Sequence, residues 1–287
     1  MSGGALPAGR DRRRTAANGR VAALELAGSV DAECYVAGRP ARIARPVVDL
    51  LPDPDASARD RQLLYGAEVR VLEERGGWAF VQASADGYVG YVAAGTLGAM
   101  PEPTHRVAVP ATLALPVPDF KRLERCALPF GAAVRVVSAS GAFFETAEGW
   151  FVPRLHLRPL NRPMGDAATA AQLFFGAPYL WGGNTPWGVD CSGLVQAAFL
   201  AAGHPCPADS DMQAAELGVP IAEDVPLARG DTVFWAGHVG IMVDGETLLH
   251  ANAYHMAAAY EPLAEAEARI AAAGGGPVTA RRRVAPR

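Results

Sequence analysis

The chain writes one β pattern twice. Residues 63–97 read "LLYGAEVRVLEERGGWAFVQASADGYVGYVAAGTL", and residues 128–157 read "LPFGAAVRVVSASGAFFETAEGWFVPRLHL". Tyr65-Gly66 matches Phe130-Gly131, Val69-Arg70-Val71 matches Val134-Arg135-Val136, and Trp78 matches Phe143. In both, apolar residues alternate with others and break at glycine turns, as in short half-buried strands. Repetition of such a unit predicts two small β-barrels in tandem. Proline-rich stretches at residues 100–106 and 158–166 serve as linkers. The domains read as residues 39–99 and 104–160 for the two barrels and 161–287 for a third domain. Residues 1–38 form an Arg- and Ala-rich N-terminal segment with a helix expected over residues 15–26.

The third domain has a different grammar. "AATAAQLFFGAPYLWGG" reads as a helix ending near Gly176, and "DCSGLVQAAFLAAG" as a second, with Asp190 as N-cap and Gly203 as its stop. "DTVFW", "HVGIMV" and "TLLHAN" then read as strands. Helices followed by strands, without βαβ alternation, give an α+β domain. Half of the 287 residues are hydrophobic, enough for several cores. The formal net charge of −4 gives no basic stripe for nucleic acid. Arg10–Arg14 and Arg281–Arg283 are expected to be solvated tails. No apolar run approaches the roughly 18 residues of a membrane span. Cys34, Cys126, Cys191 and Cys206 show neither a disulfide framework nor a CxxC pair, so free thiols in a reducing compartment are expected. Without a recognisable leader the expected location is cytoplasmic; the alternative is export, with the leader missing from this sequence.

Cys191 falls at the first position of the Asp190-capped helix. Leu194, Val195 and Ala198 follow at helical spacing, which turns the thiol toward the buried face. Unpaired N–H groups at a helix start favour the thiolate and can hold an oxyanion. A thiol nucleophile needs a base, and the base needs an orienting partner. "GHVGIMVDGETLLHANAYH" offers His238, His250 and His255. A three-residue hairpin loop at residues 243–245, with Gly245 left-handed, would put His238 directly opposite His250. A two-residue turn would put them on opposite faces. His255 lies beyond the strand and reads as a loop histidine. Trp181, Trp187 and Trp235 read as packing residues.

The tract from Pro178 to Leu194, "GDTVFWAGHVGIMV" and "LLHA" resemble the NlpC-type cell-wall peptidases. These are papain-like cysteine peptidases with the motifs PYxWGG, DCSG, GD…F and HVGI. The resemblance implies that Cys191 is the nucleophile, His238 the base, His250 the third polar residue, and Tyr179 a helper of the oxyanion site. The two β units resemble bacterial SH3-like domains. Together they imply a papain-like α+β catalytic domain preceded by two small SH3-like β-barrels.

That combination resembles a subgroup cutting between γ-D-glutamate and the next L-diamino acid of peptidoglycan stem peptides with a free N-terminal L-alanine. By that pattern Asp190, Ser192 and Ser210 bind the amine, and a tyrosine of the first barrel, Tyr88 with Tyr91 as runner-up, closes the pocket. The implied protein recycles murein peptides and takes no metal or organic cofactor. The alternatives are an exported hydrolase of intact wall, with the barrels as wall-binding modules, and a papain-fold amidase or acyltransferase.

Overall fold

A computed structural model describes residues 9–285. The two β units have one strand plan. In the first, the sheet order is Val89–Ala93, Trp78–Ala83, Glu68–Arg75, Arg39–Ile43, Leu97–Gly98, with Val47–Leu50 paired to Arg61–Leu64. The second repeats this order, its counterpart of Glu68–Arg75 being divided into Ala133–Val134 and Val136–Ser140. Both copies carry a register shift at the same place, between Val71 and Glu73 and between Val136 and Ser138. The matched Gly66 and Gly131 both take φ in the left-handed region, at 80° and 86°. There a side chain would be strained, which accounts for glycine in both copies.

The copies differ most at one loop. From Arg61 to Trp78 the strands match residues 65 further on, whereas the short helical turn Ala94–Thr96 matches Arg154–His156, only 60 further on. The first copy therefore carries five extra residues between these points. That loop holds Asp86 and Tyr88, both of which reach the third domain.

The third domain packs three helices, α1 (Ala167–Gln172), α2 (Cys191–Ala201) and α3 (Ser210–Glu216), with an antiparallel sheet and a last helix, α4 (Leu263–Ala272). The sheet strands are β1 (Thr232–Trp235), β2 (His238–Met242), β3 (Thr247–Asn252), β4 (Ala257–Pro262) and β5 (Ala280–Arg283). They run in the order β5-β1-β2-β3-β4, with Val219–Pro220 on the outer edge of β5. Asp166 caps α1 through the N–H groups of Ala168 and Thr169. Asp190 caps α2, accepting from Gly193 N at 2.6 Å. Leu194, Val195, Ala198 and Phe199 of α2 meet Phe234, Val239, Ile241 and Leu249 of the sheet in one core. A buried leucine-sized side chain contributes about 1.5–3 kcal/mol. This face therefore fixes α2, and with it Cys191, against β2.

The first β unit docks on the opposite side of α2. Arg61 donates to Gln196 Oε1 at 2.7 Å and pairs with Asp86, and Gln196 donates to Asp86 at 2.8 Å. Gln62 and Asn184 exchange hydrogen bonds of 3.0 and 3.2 Å. Ala208 and Met212 of the third domain complete the core of the first β unit.

Three expectations are corrected. Residues 15–26 are not helical: Val21–Ala23 pairs in parallel with Cys34–Val36, followed by a short 3-10 turn. Ala16, Val21 and Ala23 pack on Leu72, Phe80 and Tyr91 of the first β unit, and that tertiary face overrides alanine's helical preference. Arg12–Arg14 are not a free tail: Arg12 pairs with Asp60, Arg13 with Asp11, Asp209 and Asp211, and Arg14 with Glu216. Arg281–Arg283 belong to β5, where Arg283 pairs with the buried Asp231, a carboxylate that burial obliges to find a cation.

Candidate active site

Cys191 is buried at the first turn of α2. Gly193 follows because nothing larger fits: a Cβ there would sit 2.2 Å from Gly183 O. This contact presses the Trp181-Gly182-Gly183 loop against the helix start. Asp190 ties the two together, accepting from Gly182 N at 2.9 Å and from Ser192 Oγ at 3.0 Å as well as from Gly193.

The helix start was expected to lower the thiol pKa. Burial wins instead and, helped by the adjacent Asp190 charge, pushes it up to about 12. The N–H groups of Val239, Ser192 and Cys191 pull the other way. The resting thiol is therefore neutral. Tyr179 is half-buried, and burial followed by the Cys191 and Asp190 charges takes its hydroxyl up to about 12. It stays a proton donor at neutral pH.

The two histidines meet, by a different register from the expected one. β2 and β3 pair Ile241 with Leu249 and Met242 with Leu248. Val243 N bonds Thr247 O at 2.9 Å, so the three-residue loop is residues 244–246, one later than expected. Gly245 does not take a left-handed φ. Asp244 makes the turn instead, its Oδ1 accepting from Glu246 N and Thr247 N at 2.8 and 2.6 Å, an Asx-type bond. His238 and His250 are thus diagonal rather than opposite, still on one face, with His238 Nε2 2.9 Å from His250 Nδ1. Burial comes first in lowering both pKa values, His238 to about 3 and His250 to about 4.

Beyond the pair lies Glu261, which no motif in the sequence marks. His250 Nε2 is 2.9 Å from Glu261 Oε2, and Arg269 clamps both carboxylate oxygens at 2.9 and 2.7 Å. The only hint is an acidic residue at the end of the alternating "AAAYEP". His255 is exposed and bonds Asn252. His250, His255 and Glu261 lie close enough to share a metal ion, but the guanidinium on Glu261 already supplies the positive charge there.

On the other side of Cys191 two carboxylates lie near each other, the charge of Asp209 helping to raise the pKa of Asp190. Ser192 is bonded to Asp190, and Ser210 opens α3 next to Asp209, a second carboxylate not expected from the sequence. Tyr88 is 2% exposed and donates from its hydroxyl to Asp209 Oδ2 at 3.1 Å. Arg13 holds the same oxygen at 2.7 Å. Tyr91 faces away, bonded to Asn18 among the N-terminal residues. Burial raises the pKa of Asp190, and among the described residues no cation pairs with it. Trp181 and Trp187 are 67% and 46% exposed and contradict the packing expectation, whereas Trp235 is buried. Their chain neighbours fill the tight loop, which leaves the indoles outside.

A thiol on a helix start, packed on an antiparallel sheet that presents a histidine pair, is the arrangement of a papain-like α+β peptidase domain. Residues 176–267 match the NlpC/P60 family, and residues 50–97 match the bacterial dipeptidyl-peptidase Sh3 domain. The chain is 29% identical over 216 residues to the gamma-D-glutamyl-L-lysine dipeptidyl-peptidase of Bacillus subtilis, covering 66% of this chain and 71% of that one. It is 23% identical over 237 residues to the protein of the same name from Bacillus cereus, covering 68% of each. A crystal structure of an NlpC/P60 family protein from Bacillus cereus superposes with a TM-score of 0.74 at 19% identity, over 86% of this chain and all of the other. Residues 176–267 thus form an NlpC/P60 peptidase domain, with a bacterial SH3 domain ahead of it at residues 50–97.

Proposed function

We propose that the protein is a cysteine endopeptidase that hydrolyses the bond between γ-D-glutamate and the following L-diamino acid in stem peptides bearing a free N-terminal L-alanine. The observation that carries this reading is Asp190: a half-buried carboxylate at the helix start beside the thiol, its pKa raised by desolvation, with no cationic partner among the described residues. Such a charge is costly alone and favourable beside an ammonium. Asp209, held by Tyr88 and Arg13, adds a second carboxylate near Asp190 on the side of the first β unit. A peptide whose alanine amine is bonded to something larger would meet that unit. The names of the two Bacillus relatives support the substrate class.

The chemistry is that of a thiol nucleophile served by an imidazole base. Cys191 Sγ attacks the γ-carbonyl while the His238 nitrogen not bonded to His250 takes the thiol proton. The Cys191 N–H and the Tyr179 hydroxyl are the donors for the oxyanion. Collapse expels the diamino acid's amine, protonated by His238, and leaves a γ-glutamyl thioester. Water, deprotonated by His238, then releases L-Ala-D-Glu. Recycling of murein peptides is the setting this specificity suits.

The test is mass spectrometry of L-Ala-γ-D-Glu-diaminopimelate and its N-acetyl form after incubation with the enzyme. Acetylation removes the cation that Asp190 awaits, and kcat/KM should fall about 100-fold or more. Equal rates on the two peptides, or release of peptides from intact sacculi, would overturn the free-amine reading.

A further inference from the structure

We infer that Glu261, clamped by Arg269, is a positioning residue that fixes the proton pattern of the histidine pair and so selects which nitrogen of His238 acts as the base. The inference rests on the reading of His238 as the base. It starts from a carboxylate. Glu261 is buried on β4, on the same face as His250, because β3 and β4 pair His250 with Ala259 and Leu248 with Glu261. The hydrogen bonds of Arg269 keep it ionised, and an ionised carboxylate only accepts. His250 Nε2, 2.9 Å away, must therefore carry the proton. A neutral His250 then has its lone pair on Nδ1, and that atom must accept from His238 Nε2. A neutral His238 so bonded has its only lone pair on Nδ1. One buried carboxylate, two rings away from the thiol, thus leaves a single basic nitrogen free to take the thiol proton. With the opposite tautomers the hydrogen bonds between the rings would still form, but His238 would present N–H where a base is required.

The same cluster acts on the imidazolium formed during attack, and its charges pull in opposite directions. The groups facing His250 are His238 on β2, Glu261 on β4, Arg269 on α4 and His255 in the loop after β3, with Tyr254 stacked on Arg269 at 4.5 Å. Glu261 favours protonation of the pair, and Arg269 opposes it.

The experiment uses the full chain, with Glu261→Gln, Glu261→Met and Arg269→Met beside the wild type. Long-range proton–nitrogen-15 spectra of the imidazoles at pH 7 should show both His238 and His250 as Nε2–H tautomers in the wild type. In Glu261→Met the His250 signal should move to a mixture that includes Nδ1–H. Loss of an orienting partner of this kind costs about 10- to 100-fold. We expect that loss in kcat for Glu261→Met at unchanged KM, with Glu261→Gln, which keeps an acceptor, retaining more. The acid limb of kcat against pH should move down in Glu261→Gln and up in Arg269→Met, opposite shifts that a merely structural ion pair would not give. Arg269→Met leaves the carboxylate in place and serves if the Glu261 variants do not fold. Unchanged tautomers and kcat in a folded Glu261→Met protein, or acid limbs that move together, would overturn the inference. The tautomer measurement needs no turnover: if the wild type cleaves no stem peptide, the substrate reading fails while this proton pattern is still decided.

Discussion

Acid should unfold this protein through His250 well before its carboxylates titrate. His250 is fully buried, and burial outweighs the Glu261 charge in lowering its pKa from 6.5 to about 4. In the unfolded chain the ring takes up a proton below pH 6.5; in the folded chain it does not until about pH 4. As pH falls through that window the unfolded state binds more protons, so stability falls with it. For a shift of this size the loss is about 2 kcal/mol at pH 5 and about 3 kcal/mol at pH 4, relative to pH 8. His238 shifts in the same direction, and the pair titrates as a unit. The measurement is urea unfolding from pH 8 to pH 5, on the wild type and on His250→Gln. The wild type should lose about 2 kcal/mol more than the variant over that range. The same order of pKa values governs activity, because the base works only when neutral. The kcat/KM profile should lack an acid limb near pH 6.5 and fall only toward pH 4. Parallel urea curves for the two proteins, or an acid limb between pH 6 and 7, would refute the argument from burial.

Other outcomes rest on the same geometry. His238→Ala should abolish turnover and His250→Ala should damage it less, with the double variant resembling His238→Ala, since members of one relay are not additive; severe loss in His255→Ala beside a silent His250→Ala would misplace the third residue. Gly193→Ala puts a Cβ 2.2 Å from Gly183 O, so the loop must retreat from the helix start by roughly an ångström. Displacement on that scale costs about 100-fold in kcat, read beside a melting curve that stays cooperative. Arg13→Ala frees one side of Asp209 and loosens Tyr88, and because Arg13 is partly exposed the loss should be near 1 kcal/mol, seen as about a 5-fold rise in KM with kcat kept. A fall in kcat alone would place Arg13 in the chemistry instead.

The β repeats, the Asp190-capped helix and the three strands after it were legible in the sequence because each is set by local rules: alternation, turn glycines and a capping aspartate. So was the meeting of His238 and His250 on adjacent strands, since a strand's two-residue period keeps the two on one face in either three-residue register. The register itself was not, because it turned on whether Gly245 or the Asp244 side chain would shape the loop. The thiol's protonation state was misjudged for a related reason: a helix end is visible in sequence, but the depth at which it is buried is not. Arg12–Arg14, Asp209, Glu261 and Arg269 lay outside any motif and gained their partners only through folding. Arg13 and Asp209 are separated by 196 residues and Glu261 and Arg269 by 8, yet neither contact follows from local pattern. Sequence fixes which side chains an element offers; the electrostatics of the site depend on distances of a few ångströms between elements, and those come into being only when the elements pack.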